Sequence, residues 1–274
     1  MTNSLTSSSI KGMKGKQKIG ILTAYDYTSA VLLDRAGLDV ILVGDSLGMV
    51  MLGRKDTLAV SIDEMIMHCR SVVAGVERAF VVADMPFMSY EPGVKTALKN
   101  AARLVQEGGV RAVKLEGPYI AEVKALTSAG IPVMGHIGLT PQRAAELGGF
   151  KVQGKTSAAA QALIDEAVKL EQAGCFALVL ECIPAPIAEI ITKRLNIPTI
   201  GIGAGPHCDG QVLVMHDVLG LFDRFVPRFV KRYAELGQEI QKSVQAYCTE
   251  VREGVFPGPE HSFTIDENEL KKVE

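Results

Sequence analysis

Residues 80–117 read FVVADMPFMSYEPGVKTALKNAARLVQEGGVRAVKLEG. Two short, mainly apolar runs, 80–83 and 112–115, flank a stretch at 94–107 whose apolar residues recur at helical spacing. A connection long enough to hold a helix joins parallel strands, so this stretch is a β–α–β unit. The first strand runs into Asp84, the second into Lys114, Leu115 and Glu116. Near-continuous apolar character is what a parallel strand covered on both faces requires.

The same rhythm extends in both directions. Strand-like runs at 19–23, 40–43, 132–135, 177–180 and 198–202, with a weaker one at 212–215, bring the number to eight. Helical spacing recurs at 61–76, 119–129, 158–173 and 186–195. Ala36-Gly37, Ala129-Gly130 and Ala173-Gly174 each close a helix before the next strand. Eight such units in 274 residues, with no linker, predict a single-domain α/β fold, the (β/α)8 or TIM barrel, rather than an open sheet. Residues 1–16 read as a polar N-terminal leader, 17–263 as the barrel, and 264–274 as a charged C-terminal tail. Within the barrel domain, 226–251 reads as an additional C-terminal helical segment.

Composition narrows the function classes. Hydrophobic residues make up 47% and charged residues 22%, which suits a folded globular chain and excludes disorder. A net charge of −2 provides no basic field to attract nucleic acid or anionic lipid, so small-molecule partners are expected. The five cysteines, Cys69, Cys175, Cys182, Cys208 and Cys248, contain no C-x-x-C pair and read as free thiols. The leader lacks the apolar run of a secretory signal, and no membrane-length apolar stretch occurs, so a cytoplasmic location is expected. P-loop, zincin and nucleophile-elbow motifs do not occur. Met49, Met51, Met65, Met67 and Met85 read as core fillers.

In a barrel of this kind, chemistry gathers where strands run into the following loops. Asp45 and Ser46 follow the second strand, Asp84 the third, Lys114 and Glu116 the fourth, His136 the fifth and Glu181 the sixth. Asp45, Asp84 and Glu116 on one rim would repel one another unless a cation sat between them. All-oxygen ligands favour Mg²⁺ or Mn²⁺ over zinc. The plainer alternative is that Asp45 and Ser46 cap the next turn, Asp84 shapes a tight loop before Pro86, and Glu116 pairs with Lys114 or Arg111. Lys114 suits a substrate carboxylate or simple neutralisation of the acids, and His136 a ligand hydrogen bond or a loop anchor. Glu181 leaves a wholly apolar strand, where partial burial would lift its pKa toward that of a general base; a structural carboxylate is the alternative. Gly201-Ile202-Gly203-Ala204-Gly205 is a weak phosphate-cradle pattern.

These strand ends lie in longer motifs: TAYDY at 23–27, LVGDSLGM at 42–49, ADMPFMSY at 83–90, VKLEG at 113–117, GHIGLTPQ at 135–142, LECIP at 180–184 and LVMHD at 213–217. With Gly201 to Gly205 and Asp209-Gly210-Gln211, they resemble the ketopantoate hydroxymethyltransferase family from about residue 23 to 263. The resemblance implies a (β/α)8 enzyme of pantothenate biosynthesis. Such an enzyme moves a hydroxymethyl group from 5,10-methylenetetrahydrofolate to 3-methyl-2-oxobutanoate, giving 2-dehydropantoate through a Mg²⁺-stabilised enolate. It further implies one Mg²⁺ per subunit and a homodecamer. By the same resemblance Asp45, Asp84 and Glu116 are metal ligands, Asp45, Ser46, Asp84, Lys114 and His136 contact the substrate, and Glu181 is the catalytic proton acceptor.

Two rival readings are weighed. One is the phosphoenolpyruvate mutase and isocitrate lyase group, whose lyases resemble each other in a Lys-Lys-Cys-Gly-His loop; here Val133-Met134 precedes Gly135-His136, and the cysteine is missing. The other is a catalytically silent barrel that binds ligand or serves assembly.

Overall fold

A computed structural model of the chain describes residues 4–143, 149 and 151–273. The order of elements is α1 (Ser7–Lys11), β1 (Ile19–Thr23), α2 (Tyr27–Arg35), β2 (Val40–Val43), α3 (Leu47–Val50), α4 (Ile62–Ala74), β3 (Phe80–Asp84), α5 (Val94–Gln106), β4 (Ala112–Lys114) and α6 (Ile120–Ser128). It continues with β5 (Val133–Gly138), α7 (Ser157–Gln172), β6 (Ala177–Glu181), α8 (Ala185–Arg194), β7 (Thr199–Ile202), β8 (Gly210–Leu213), α9 (Met215–Val218), α10 (Leu236–Glu253) and α11 (Glu267–Leu270).

The eight strands are all parallel and close into a barrel in sequence order, with β8 returning to β1 through Ile19↔Gly210 and Leu22↔Leu213. Local sequence explains the crossovers. Ser61 and Glu64 form a reciprocal capping box at the start of α4, whose Met65, Ile66, Cys69 and Val72 form its buried face. Thr156 caps α7 by accepting the N–H of Ala159.

Strand alternation then sorts residues into two cores. Ile41, Val43, Val81, Ala83 and Val113 face outward to the helices. Ile19, Ile21, Val40, Leu42, Phe80, Val82, Met134, Val179 and Val212 fill the barrel interior. At the amino end of the strands that interior is closed by the stretch read as a polar leader. Thr6 caps α1, and Ile10, fully buried, joins the interior cluster beside the edge-to-face pair Phe80–Phe176 at 5.6 Å. Lys14 pins this peg to Asp209 at 2.8 Å and to the Thr192 carbonyl at 2.9 Å.

Three expectations are corrected. The weak last strand lies at Gly210–Leu213 rather than 212–215, because pairing with β1 recruits Gly210 and Gln211 while Met215 instead donates its N–H to Thr23 and opens α9. The terminal helix begins at Leu236, not near 226. Pro227 interrupts the stretch, and the N–H groups of Tyr233, Leu236 and Gly237 bond the carbonyls of Val218, Leu219 and Gly220. Met65 and Met85 are core residues, but Met51 and Met67 are exposed. All five cysteines are free, and among the described residues no helix is long and apolar enough to cross a membrane.

Candidate active site

The carboxyl ends of the strands open into a cavity of ≈ 380 Å³. Asp45, Ser46, Asp84, Lys114, Glu116, His136 and Glu181 all line it, so every side chain singled out at a strand end arrives in one place. Leu42, Val179, Ile202 and Val212, the top of the interior core, form its floor and walls together with Phe222, Phe225 and Phe229 from the segment after α9.

Close backbone approach builds this rim. A Cβ on Gly44 would sit 2.8 Å from Ser46 Oγ and 3.5 Å from Asp84 Oδ2, so glycine lets β2 deliver Asp45 next to Asp84. The Asp45 N–H donates to Asp84 Oδ2 at 3.0 Å. At the end of β5, Gly138 adopts φ +97°, and a Cβ there would lie 2.2 Å from the Glu181 carbonyl oxygen. That closeness keeps His136 and Glu181 side by side.

The charged groups form a chain. Lys114 donates to Asp84 and lies 3.7 Å from Glu116 Oε1. His136 faces a carboxylate at each ring nitrogen, Glu116 at 3.5 Å and Glu181 at 3.3 Å, distances of ion pairs rather than aligned hydrogen bonds. Burial and the Lys114 charge work against an imidazolium, but Glu116 and Glu181 prevail and lift His136 to about 9. Burial likewise opposes the Lys114 cation, and its acidic neighbours more than compensate, raising its pKa. Burial and then the charges of Asp84 and Glu116 push Asp45 up to about 8. Glu116 resists its own burial through His136 and Lys114 and stays below the usual carboxylate range.

The alternatives to a functional role meet these facts directly. Ser46 makes no helix cap; its hydroxyl pairs with the buried Tyr25 hydroxyl at 2.8 Å. Arg111 bonds Ser4 and the Leu5 carbonyl, on the peg. Glu116 does pair with Lys114, but inside the cavity. Gly203 and Gly205 serve close packing, with Phe229 and Ala185 occupying the space a Cβ would need.

Five acids, Asp45, Asp84, Glu116, Glu181 and Asp217, line the cavity with Lys114, His136 and Arg228, and the crowding of like charge at Asp45 is relieved by a proton or by a bound cation. Among the described residues no three His, Cys, Asp or Glu side chains form a ready-made metal cluster. Asp45 and Asp84, joined through the Asp45 N–H, offer hard oxygen donors that suit a divalent ion which takes few protein carboxylates and keeps water or substrate oxygens, the habit of Mg²⁺. Sequence reading missed Tyr25, Tyr90 and Gln142. Tyr25 and Tyr90 are the largest fully buried side chains, each with its hydroxyl turned to a site residue. The only signal was their position inside the strand-end motifs.

The fold and the site together define a (β/α)8-barrel enzyme with an acidic pocket at the carboxyl ends of its strands. More closely, the chain belongs to the ketopantoate hydroxymethyltransferase family, whose sequence profile matches residues 4–259. That match starts earlier than residue 23 and takes in the peg. A protein of Nitratidesulfovibrio vulgaris named 3-methyl-2-oxobutanoate hydroxymethyltransferase is 63% identical over 97% of this chain and 88% of its own length. One of the same name from Oleidesulfovibrio alaskensis is 60% identical over 100% and 95%. Among solved structures, a 2,3-dimethylmalate lyase of the PEP mutase/isocitrate lyase superfamily superposes with TM-score 0.59 at 16% identity, covering 98% of both chains. A phosphonopyruvate hydrolase in complex with oxalate and Mg²⁺ gives 0.59 at 13%, covering 100% of this chain and 96% of that one. These two share the barrel fold.

Proposed function

We propose that this chain transfers a hydroxymethyl group from 5,10-methylenetetrahydrofolate to 3-methyl-2-oxobutanoate, water supplying the hydroxyl oxygen and tetrahydrofolate leaving, and so forms 2-dehydropantoate for pantothenate synthesis. The observation that carries this reading is the placement of Glu181 and the Asp45–Asp84–Lys114–Glu116 group in one cavity, bridged by His136. The names of the relatives supply the substrate.

Asp45 and Asp84, with Glu116 completing the acidic face, would hold one Mg²⁺ per subunit. When bound, the ion supplies Lewis-acid stabilisation of the negative charge that develops on the ketone oxygen of the oxoacid. Lys114 and Ser46 bind the substrate carboxylate, the lysine by charge and the serine through a hydroxyl oriented by Tyr25. Glu181, whose side chain is 13% exposed, accepts the proton from C3. His136 holds that carboxylate in place and contacts the oxoacid. The apolar walls formed by Leu42, Val179 and Val212 exclude water from the carbanionic carbon until it meets the one-carbon donor.

Five free thiols support a cytoplasmic enzyme. A homo-oligomer, taken as a decamer, is supported by α10, on which Leu236, Ile240, Val244, Tyr247 and Val251 lie exposed along one face. The test is one-carbon transfer with and without chelator. Transfer to 3-methyl-2-oxobutanoate that is lost with chelator and restored by Mg²⁺ is expected; cleavage of a 2-hydroxy acid without folate would replace this reading with the lyase one.

A further inference from the structure

Gln142 sits on a single 3₁₀ turn, Pro141–Arg143, beyond the end of β5, yet its side chain reaches the centre of the site and is 4% exposed. Every polar atom of that side chain is engaged. Nε2 donates to Asp45 Oδ2 at 2.9 Å and to the Met85 carbonyl at 3.0 Å, and Oε1 accepts from the Tyr90 hydroxyl at 2.7 Å. Its own backbone N–H donates to Glu116 Oε2 at 3.1 Å. Tyr90, 1% exposed, in turn accepts the N–H of Glu116 at 3.3 Å.

The orientation of this amide is over-determined. A carbonyl such as that of Met85 can only accept, so Nε2 lies on that side and turns its second N–H to Asp45, leaving Oε1 to the Tyr90 hydroxyl, whose proton lies between Oε1 at 2.7 Å and the Glu116 carbonyl at 3.2 Å. The contrast with Lys114 is chemical. Lys114 holds Asp84 as a cation, whereas a neutral amide holds Asp45 and places no positive charge beside it. Among the described residues Gln142 is the one side-chain donor on Asp45, and the same residue also grips Glu116.

We infer that Gln142 is a positioning residue: oriented by Tyr90, it fixes Asp45 and Glu116 relative to each other so that the acidic face is set for a divalent cation. This rests on the Mg²⁺ reading above. It assigns a task to a residue that touches neither substrate nor metal.

The test is calorimetric titration of Mg²⁺ into the metal-free full-length protein, its Gln142→Met variant and its Tyr90→Phe variant, with thermal unfolding of the same samples. Gln142→Met is nearly isosteric and is expected to bind Mg²⁺ at least about tenfold more weakly, as when the partner that orients a ligating group is removed. Tyr90→Phe keeps the amide and its bonds to Asp45 and Met85 but removes the donor that anchors Oε1, and about threefold weaker binding is expected. Lower unfolding temperatures with unchanged Mg²⁺ affinity would mean that Gln142 merely packs, and would overturn the inference while leaving the metal reading intact. Should Gln142→Met fail to fold, Tyr90→Phe decides: weaker binding supports the assignment and unchanged binding overturns it. A parent protein that takes up no Mg²⁺ would overturn both readings, and is told apart because the failure precedes any substitution.

Discussion

The two ends of the barrel are built from the same eight strands and could hardly differ more. At the amino end the interior is closed by Ile10 against Phe80 and Phe176, and Lys14 and Asp209 pair one to one. At the carboxyl end Asp45, Asp84, Glu116, Glu181 and Asp217 crowd around an open cavity with Lys114, His136 and Arg228. The first arrangement pairs its charges; the second crowds like charges together, with Asp45 pushed up to about 8. Stability should therefore respond to changes below and turnover to changes above.

The sharpest way to break this contrast is Glu181→Gln. It is expected to cut exchange of the C3 proton of 3-methyl-2-oxobutanoate with deuterated water by roughly 10²–10⁴-fold, followed by NMR, while the unfolding transition hardly moves. Undiminished exchange would remove Glu181 from its role. At the other end, Ile10→Ala empties the peg and should cost about 3 kcal/mol in denaturant unfolding with KM unchanged. A comparable loss of catalysis would show that the ends are coupled.

Asp217 makes the contrast pH-dependent. It lines the cavity, and burial, only partly offset by Arg232, lifts its pKa to about 6. A folded-state carboxylate raised in this way opposes folding increasingly as pH climbs from about 4 through about 6. Asp217→Asn should then be more stable than the parent by about 2 kcal/mol or less at pH 8, and not at pH 4, as read from unfolding at both values. The smallest effect belongs to Lys14→Met. Loss of its link to Asp209 should cost about 1 kcal/mol, since the Thr199 N–H still donates to that carboxylate. A much larger cost would mean the peg depends on charge more than on Ile10.

What could be read from the sequence follows the same division. An apolar strand that runs into a charge announces both itself and its chemistry, which is why β2 has the expected bounds and why Asp45, Asp84, Glu116, His136 and Glu181 stand out. Ile10 is one apolar residue among serines and lysines, and nothing local says that a barrel core awaits it. Gln142 was hidden for a different reason. It follows His136 by six positions, past the strand, so only the folded turn brings it back to Asp45. The helix at 226–251 was misplaced at its start because residues 233, 236 and 237 spend their N–H groups on residues 218, 219 and 220, a long-range choice that periodicity does not record.

The peg carries a consequence for how the chain reaches its final form. Ile10 is synthesised before every strand of the barrel, yet its neighbour Lys14 is pinned to the Thr192 carbonyl and to Asp209, just ahead of the last two strands, so the peg must stay unseated until those are made. Seating of the peg is therefore a late, long-range event, and the newly closed barrel would pass through a moment with its base uncapped. An amino-terminal fusion that hinders that last insertion would be expected to slow maturation more than it weakens the finished enzyme.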